Sequence, residues 1–173
     1  MTDRPTQSAP AQAIVGTIIF ALIVPGSVIL YAPYALTRFR FAPAWLGLDA
    51  TRWMGVALFV IALPIFFGFL VRFVREGHGT PAPIAPTRRL VIGGMFRHVR
   101  NPGYVSVIAL LLGETLFLGS RVLLLYTISV ALAFHLFVIF YEEPALRRSF
   151  GAEYEAYCCR VPRWIPRLRA PSH

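Results

Sequence analysis

The residues able to do chemistry fall in two charged stretches and at two isolated positions. Glu142 and Glu143 stand side by side where a long apolar run ends, with Pro144 directly after them. Two adjacent carboxylates at a membrane boundary are costly unless solvated or paired. Either they close the run and pair with arginines such as Arg147, one helical turn on, or they form a carboxylate site for a polar, partly cationic ligand. The second stretch, MFRHVRNPGY at residues 95–104, is a short basic run between two apolar segments. Glu114 and His135 lie alone inside apolar runs. An ionisable residue at that depth is a functional candidate, set against a protonated carboxyl bonded between helices and a satisfied core histidine. No P-loop, HExxH, GxSxG or Cys/His metal spacing occurs, so no metal site is expected, and Gly93-Gly94 is too weak a signal for a phosphate cradle. Cys158 and Cys159 read as two cytosolic thiols, or as a palmitoylated pair, rather than as a disulfide framework.

The elements that must position these groups are apolar. The chain has 173 residues, 57% of them hydrophobic and 14% charged, with a mean hydropathy of +0.62. So few charges cannot cover the surface of a water-soluble domain, and an integral membrane protein follows. Four runs approach the ~20 residues a bilayer core requires: 13–34, 52–74, 104–118 and 122–141. Pro25 and Pro33 should kink or end the first, which reads as an uncleaved span rather than a signal peptide. Residues 1–12 are polar and expected to be disordered. Residues 13–78 make a two-span scaffold, and 79–173 hold a basic loop, a two-span hairpin and a tail. In the tail, Leu146, Phe150, Tyr154 and Tyr157 recur at helical spacing, as in an amphipathic helix on the membrane surface or capping the bundle. The fold class is therefore an all-α polytopic membrane protein whose loop and tail close over a site.

The net charge of +9 comes from 17 arginines and no lysine. They sit at the ends of apolar runs, where head groups and the positive-inside bias account for them better than nucleic acid does. With four spans, Arg38, Arg40, Arg52 and Arg121 fall on one side and the remaining 13 of the 17 on the other. Loop and tail then share the cytoplasmic side and can meet.

FRHVRNPGY, a two-span hairpin, then EEPALRRSFGAEYEAYCCRVPRWIP resembles the isoprenylcysteine carboxyl methyltransferase and phospholipid methyltransferase superfamily. The resemblance covers residues 80–166, about half the chain. It implies a membrane enzyme that uses S-adenosylmethionine on a lipophilic or lipid acceptor. It implies that Arg100, Asn101, Pro102 and Tyr104, together with Glu142 and Glu143, fold over the cofactor. Arg89, Leu90 and Val91 would add backbone contacts, and Phe96 stands where the family often has an aromatic. Two positions depart from the pattern: Asn101 replaces a histidine and cannot act as an imidazole base, and Val138 stands where the prenylcysteine enzymes carry an arginine. Glu142 or Glu143 would take the cofactor's ribose hydroxyls or ammonium, and Arg100 or Asn101 its carboxylate. No general base is evident. A membrane reductase with a nicotinamide cofactor is the alternative enzyme, because sterol reductases resemble this architecture. A small transporter or scaffold using Glu114 is the non-enzymatic alternative.

Overall fold

The computed structural model describes residues 18, 19, 21–76, 90 and 92–167; Arg89, Val91, the 1–12 segment and the proline-rich part of the long loop lie outside them. Among the described residues every regular element is helical. The main helices are α1 (Ala21–Thr37), α2 (Ala50–Glu76), α3 (Pro102–Leu118), α4 (Arg121–Phe137) and α5 (Glu143–Arg160).

Two helices, Ala50–Arg72 and Arg121–Arg160, are long and apolar enough to cross a membrane. Only 22% and 17% of their most apolar windows are buried within the fold, so they are not the core helices of a soluble protein. α1 and α3 are apolar but no longer than 17 residues. Of the four expected spans, two therefore reach full length.

α4 runs into α5 through a π-helical turn at Val138–Glu142, and the whole forms a 40-residue helix. The tail helix is thus a continuation of the last apolar helix. Pro144 lacks an N–H, and the wider turn before it, in which the Glu143 N–H bonds the Val138 carbonyl, accommodates that gap. Beyond the π turn, the helix leaves helical backbone angles at Gly151, at φ +49° and ψ −124°. That region is open to glycine alone.

α1 handles Pro33 in the same way. Its π turn spans Ser27–Tyr31, and the Ala32 N–H bonds the Ser27 carbonyl. The next residue, Pro33, has no N–H to give, so the Val28 carbonyl takes the Tyr126 hydroxyl from α4 at 3.0 Å instead. The helix bulges ahead of Pro33 without ending.

The core joins α1, α2 and α3 through Ile29, Ala62, Phe66, Leu70, Val107, Leu110 and Leu111. α2 and α3 approach at Gly55 and Gly113, where a Cβ on Gly55 would stand 2.6 Å from the Gly113 carbonyl oxygen. Such contact needs small residues on both helices. α3 and α4 form the expected tight hairpin: Gly119 takes φ +70°, and the Ser120 hydroxyl accepts from the Leu123 N–H. The Thr115 and Thr127 hydroxyls meet across it at 3.1 Å. At the end of α3 the Phe117 carbonyl is capped by Arg52 at 2.8 Å, and Trp45 adds a bond to the Thr115 carbonyl at 3.1 Å.

Candidate active site

Proline at the first position of α3 and Asn101 before it end the basic loop and aim it at the tail. Several hydrogen bonds stitch the two segments. The Arg100 N–H donates to the Pro162 carbonyl at 2.9 Å, and the Arg167 N–H to the His98 carbonyl at 3.0 Å. The Tyr157 hydroxyl donates to the Phe96 carbonyl at 2.7 Å, and His98 Nδ1 to the Arg167 carbonyl at 2.7 Å. Beneath them Tyr154, Tyr157 and Val161 form a small second core, on which Leu90, Leu146 and Phe150 pack. The apolar face expected of the tail helix is therefore turned onto the loop.

Adjacent residues of a helix point about 100° apart, so Glu142 and Glu143 cannot share a partner. Glu143 is 3% exposed and caged by arginines. Arg163 reaches it with Nε at 2.6 Å and a terminal nitrogen at 3.0 Å, Arg100 at 3.0 Å and Arg147 at 3.7 Å. Three guanidiniums hold this carboxylate ionised, which is what its burial demands. The hydrogen bond from Glu143 in turn pushes the Arg163 guanidinium further up, against the opposing effect of partial burial. Arg147 is shared with Glu155, bonded at 2.7 Å across the break at Gly151. The architectural reading of the acidic pair thus holds for Glu143, Arg147 included.

Glu142 is different. It is half-buried and accepts a hydrogen bond from the Tyr104 hydroxyl at 3.0 Å, and no cation pairs with it among the described residues. Tyr104 is held in turn by the Phe134 ring, 4.7 Å away.

Arg100 has one donor on Glu143 and the Cys158 sulfur, at 3.0 Å each. Its Nε is buried and has no hydrogen-bond partner among the described residues. Asn101, 9% exposed, donates to the Arg163 carbonyl at 3.2 Å, so its side chain ties loop to tail. Pro102 is buried at the start of α3. The Phe96 ring lies 6.4 Å from Phe69. Val138 is buried in the helix core. The Gly93-Gly94 pair proves to be the seat of the Arg72 side chain, since a Cβ on either glycine would collide with its guanidinium.

Beside this charged junction lies an open cleft of about 420 Å³ between α2, α3 and α4. Leu58, Ile108, Leu112 and Ala131 line it, and His135 and Trp164 contribute its polar atoms. His135 is therefore neither isolated nor in the core. Its ring faces Trp164, whose indole N–H donates to His135 Nδ1 at 3.1 Å. Glu114 keeps one buried carboxyl oxygen without a partner among the described residues.

Arg163 and Trp164 were not singled out in the sequence, although they organise the site. Their local signal was the VPRWIP run alone, and nothing in their spacing told a cage-forming arginine from the other tail arginines.

A family model described as phospholipid methyltransferase matches residues 50–153. The chain belongs to the phospholipid methyltransferase family. The family makes it a methyltransferase of the membrane, in line with the two long apolar helices. The match runs from the start of α2 into α5, so it takes in Asn101, Tyr104, Glu142 and Glu143 and stops before Arg163 and Trp164. An "Uncharacterized protein" of Haemophilus influenzae is 39% identical over 62 residues, which are 36% of this chain and 98% of that protein. No solved structure matches significantly.

Proposed function

We propose that the protein transfers a methyl group from S-adenosylmethionine to a lipophilic or lipid acceptor, at a site where the basic loop and the tail meet. The observation that carries this reading is the division of labour in the acidic pair. Glu143 is consumed by its arginine cage, while Glu142 keeps acceptor capacity beyond its bond from Tyr104, and the loop carries a buried donor, Arg100 Nε, that lacks an acceptor among the described residues. A buried unpaired donor is costly and points to a missing partner.

The residues present fit the cofactor. Its ammonium and ribose hydroxyls are donors that Glu142 would accept, and its carboxylate is an acceptor for Arg100 Nε. The backbone of Arg89, Leu90 and Val91 and the ring of Phe96 would complete the cradle, as the family resemblance implies. Pro102 would fix the direction of the loop and Asn101 would tether it, with no ligand bond required of either. When bound, the cofactor supplies an activated methyl group, which needs no metal.

The chain's own residues orient and exclude water. Apolar side chains of α2, α3 and α4 would seat the acceptor, and Trp164 would close one end of the cleft. Position and dryness, more than acid–base chemistry, then set the rate. Four spans with the site on the cytoplasmic face are part of the proposal, supported by the asymmetry of the arginines.

Calorimetry on the purified protein tests the reading. S-adenosylmethionine and S-adenosylhomocysteine should bind, and NADPH should not compete with them. Binding of NADPH alone would replace this function by the reductase.

A further inference from the structure

We propose that His135 is a specificity-determining hydrogen-bond donor in the apolar cleft, set to hold the linkage oxygen of an ester-linked lipid chain, and that Trp164 is the positioning residue that fixes its tautomer. In calling this lipid the methyl acceptor, the proposal rests on the methyltransferase reading; the binding site itself does not.

The chemistry begins with the indole. Trp N–H can only donate, and it stands 3.1 Å from His135 Nδ1. Two N–H groups cannot share one hydrogen bond, so Nδ1 carries the lone pair and the ring proton is on Nε2. Nε2–H has no hydrogen-bond partner among the described residues. His135 is half-exposed where it lines the cleft, and its neighbours there, Leu58, Ile108, Leu112 and Ala131, offer no acceptor. In an apolar surround an unmet donor is costly, and an oxygen that meets it is correspondingly favoured.

Three features select the occupant. The cleft lies between α3 and two helices long and apolar enough to cross a membrane, so a bilayer lipid is what would reach it. Its volume of about 420 Å³ is ample for a small-molecule site, typically ~300–1,000 Å³. Its lining carries no charged side chain, which excludes a charged head and leaves a neutral acceptor such as an ester carbonyl. Glu142 lies seven residues beyond His135, roughly 10 Å along the helix. The head of a lipid held at His135 by its linkage oxygen would therefore extend toward Glu142.

The full-length protein, labelled with ¹⁵N-histidine and held in dodecyl maltoside, provides the test. The chain has four histidines, and His135→Gln identifies the relevant signal. The wild-type ring should carry its proton on Nε2, and Trp164→Phe should spread it over both nitrogens. Methyl oleate should shift the His135 Nε2 signal, while 1-octadecene, which lacks the ester, should not. His135→Gln, which keeps an N–H donor, should bind methyl oleate nearly as well as wild type. His135→Leu should bind it about two- to tenfold more weakly, the size of one neutral hydrogen bond, with octadecene unaffected as a check on folding. A proton on Nδ1, equal responses to ester and hydrocarbon, or undiminished methyl oleate binding by His135→Leu would each overturn the proposal. None of these measurements needs the cofactor. Failure of S-adenosylhomocysteine to bind would strike the methyltransferase reading and leave this site standing.

Discussion

Replacing each member of the acidic pair by glutamine should give opposite phenotypes. In Glu143→Gln the side chain keeps its shape and loses its charge. Arg163 and Arg100 are then left facing a neutral amide, at 31% and 12% side-chain exposure. Removing one partner of a buried ion pair costs about 3–5 kcal/mol. Because Arg163 and Arg147 retain contact with solvent, the lower end, about 3 kcal/mol, is expected. For a chain of this size that lowers the melting temperature by roughly 6–12 °C. In Glu142→Gln only the Tyr104 hydroxyl loses its charged acceptor, and melting should shift by less than about 4 °C. Its affinity for S-adenosylhomocysteine should instead fall roughly ten- to a hundredfold, as for a lost charge-assisted hydrogen bond. Thermal melts followed by tryptophan fluorescence in detergent, with calorimetry on the same preparations, measure both. If Glu142→Gln melts lower than Glu143→Gln, or if both lose binding without losing stability, the assignment of cage and ligand group is refuted.

Other perturbations probe the supports. Gly151→Ala forces a Cβ into a glycine-only conformation and should cost about 1–3 kcal/mol, read in the same melts; an unchanged melt would show that the break in α5 is not required. Gly55→Leu should separate α2 from α3 and lower stability by about 1–3 kcal/mol or more, with wild-type melting as the contrary result. Asn101→Ala removes a loop-to-tail tie and should cost about 1 kcal/mol, with only a secondary loss of cofactor affinity. A loss of binding with unchanged melting would return Asn101 to the ligand set.

Much of the architecture was legible because the membrane makes it so. Apolar runs of bilayer length announce helices, and the short gap between the runs 104–118 and 122–141 announces the hairpin. The meeting of loop and tail followed from arginine placement and is borne out by the Arg100–Pro162 and His98–Arg167 bonds. Two kinds of feature were not legible. Proline rules foretold that Pro33 would kink or end its helix, yet a π turn takes up its missing N–H, as another does before Pro144, and each helix continues. The different duties of Glu142 and Glu143 depend on which way each points around a helix whose register the π turn alters. Neighbouring identical letters carry no trace of that. Arg163 was hidden for a related reason: its partner lies 20 residues away in sequence, and only the fold of the tail brings them together.

The unbroken helix from α4 into α5 also ties the site to the thickness of the bilayer. From Arg121 to Glu142 the rise is roughly 32 Å, close to the ~30 Å of hydrocarbon in an average membrane. In the proposed topology Arg121 lies at one surface and Glu142 would emerge at the other. A thicker bilayer would draw that carboxylate toward oil and make the helix straighten, whereas a thinner one would leave it wetted and tilt the helix. Each ångström of mismatch carries a modest energy, but it falls on the group proposed to hold the ligand. Under the proposed function, lipid chain length would then be a physical input to activity, acting through the reach of one helix.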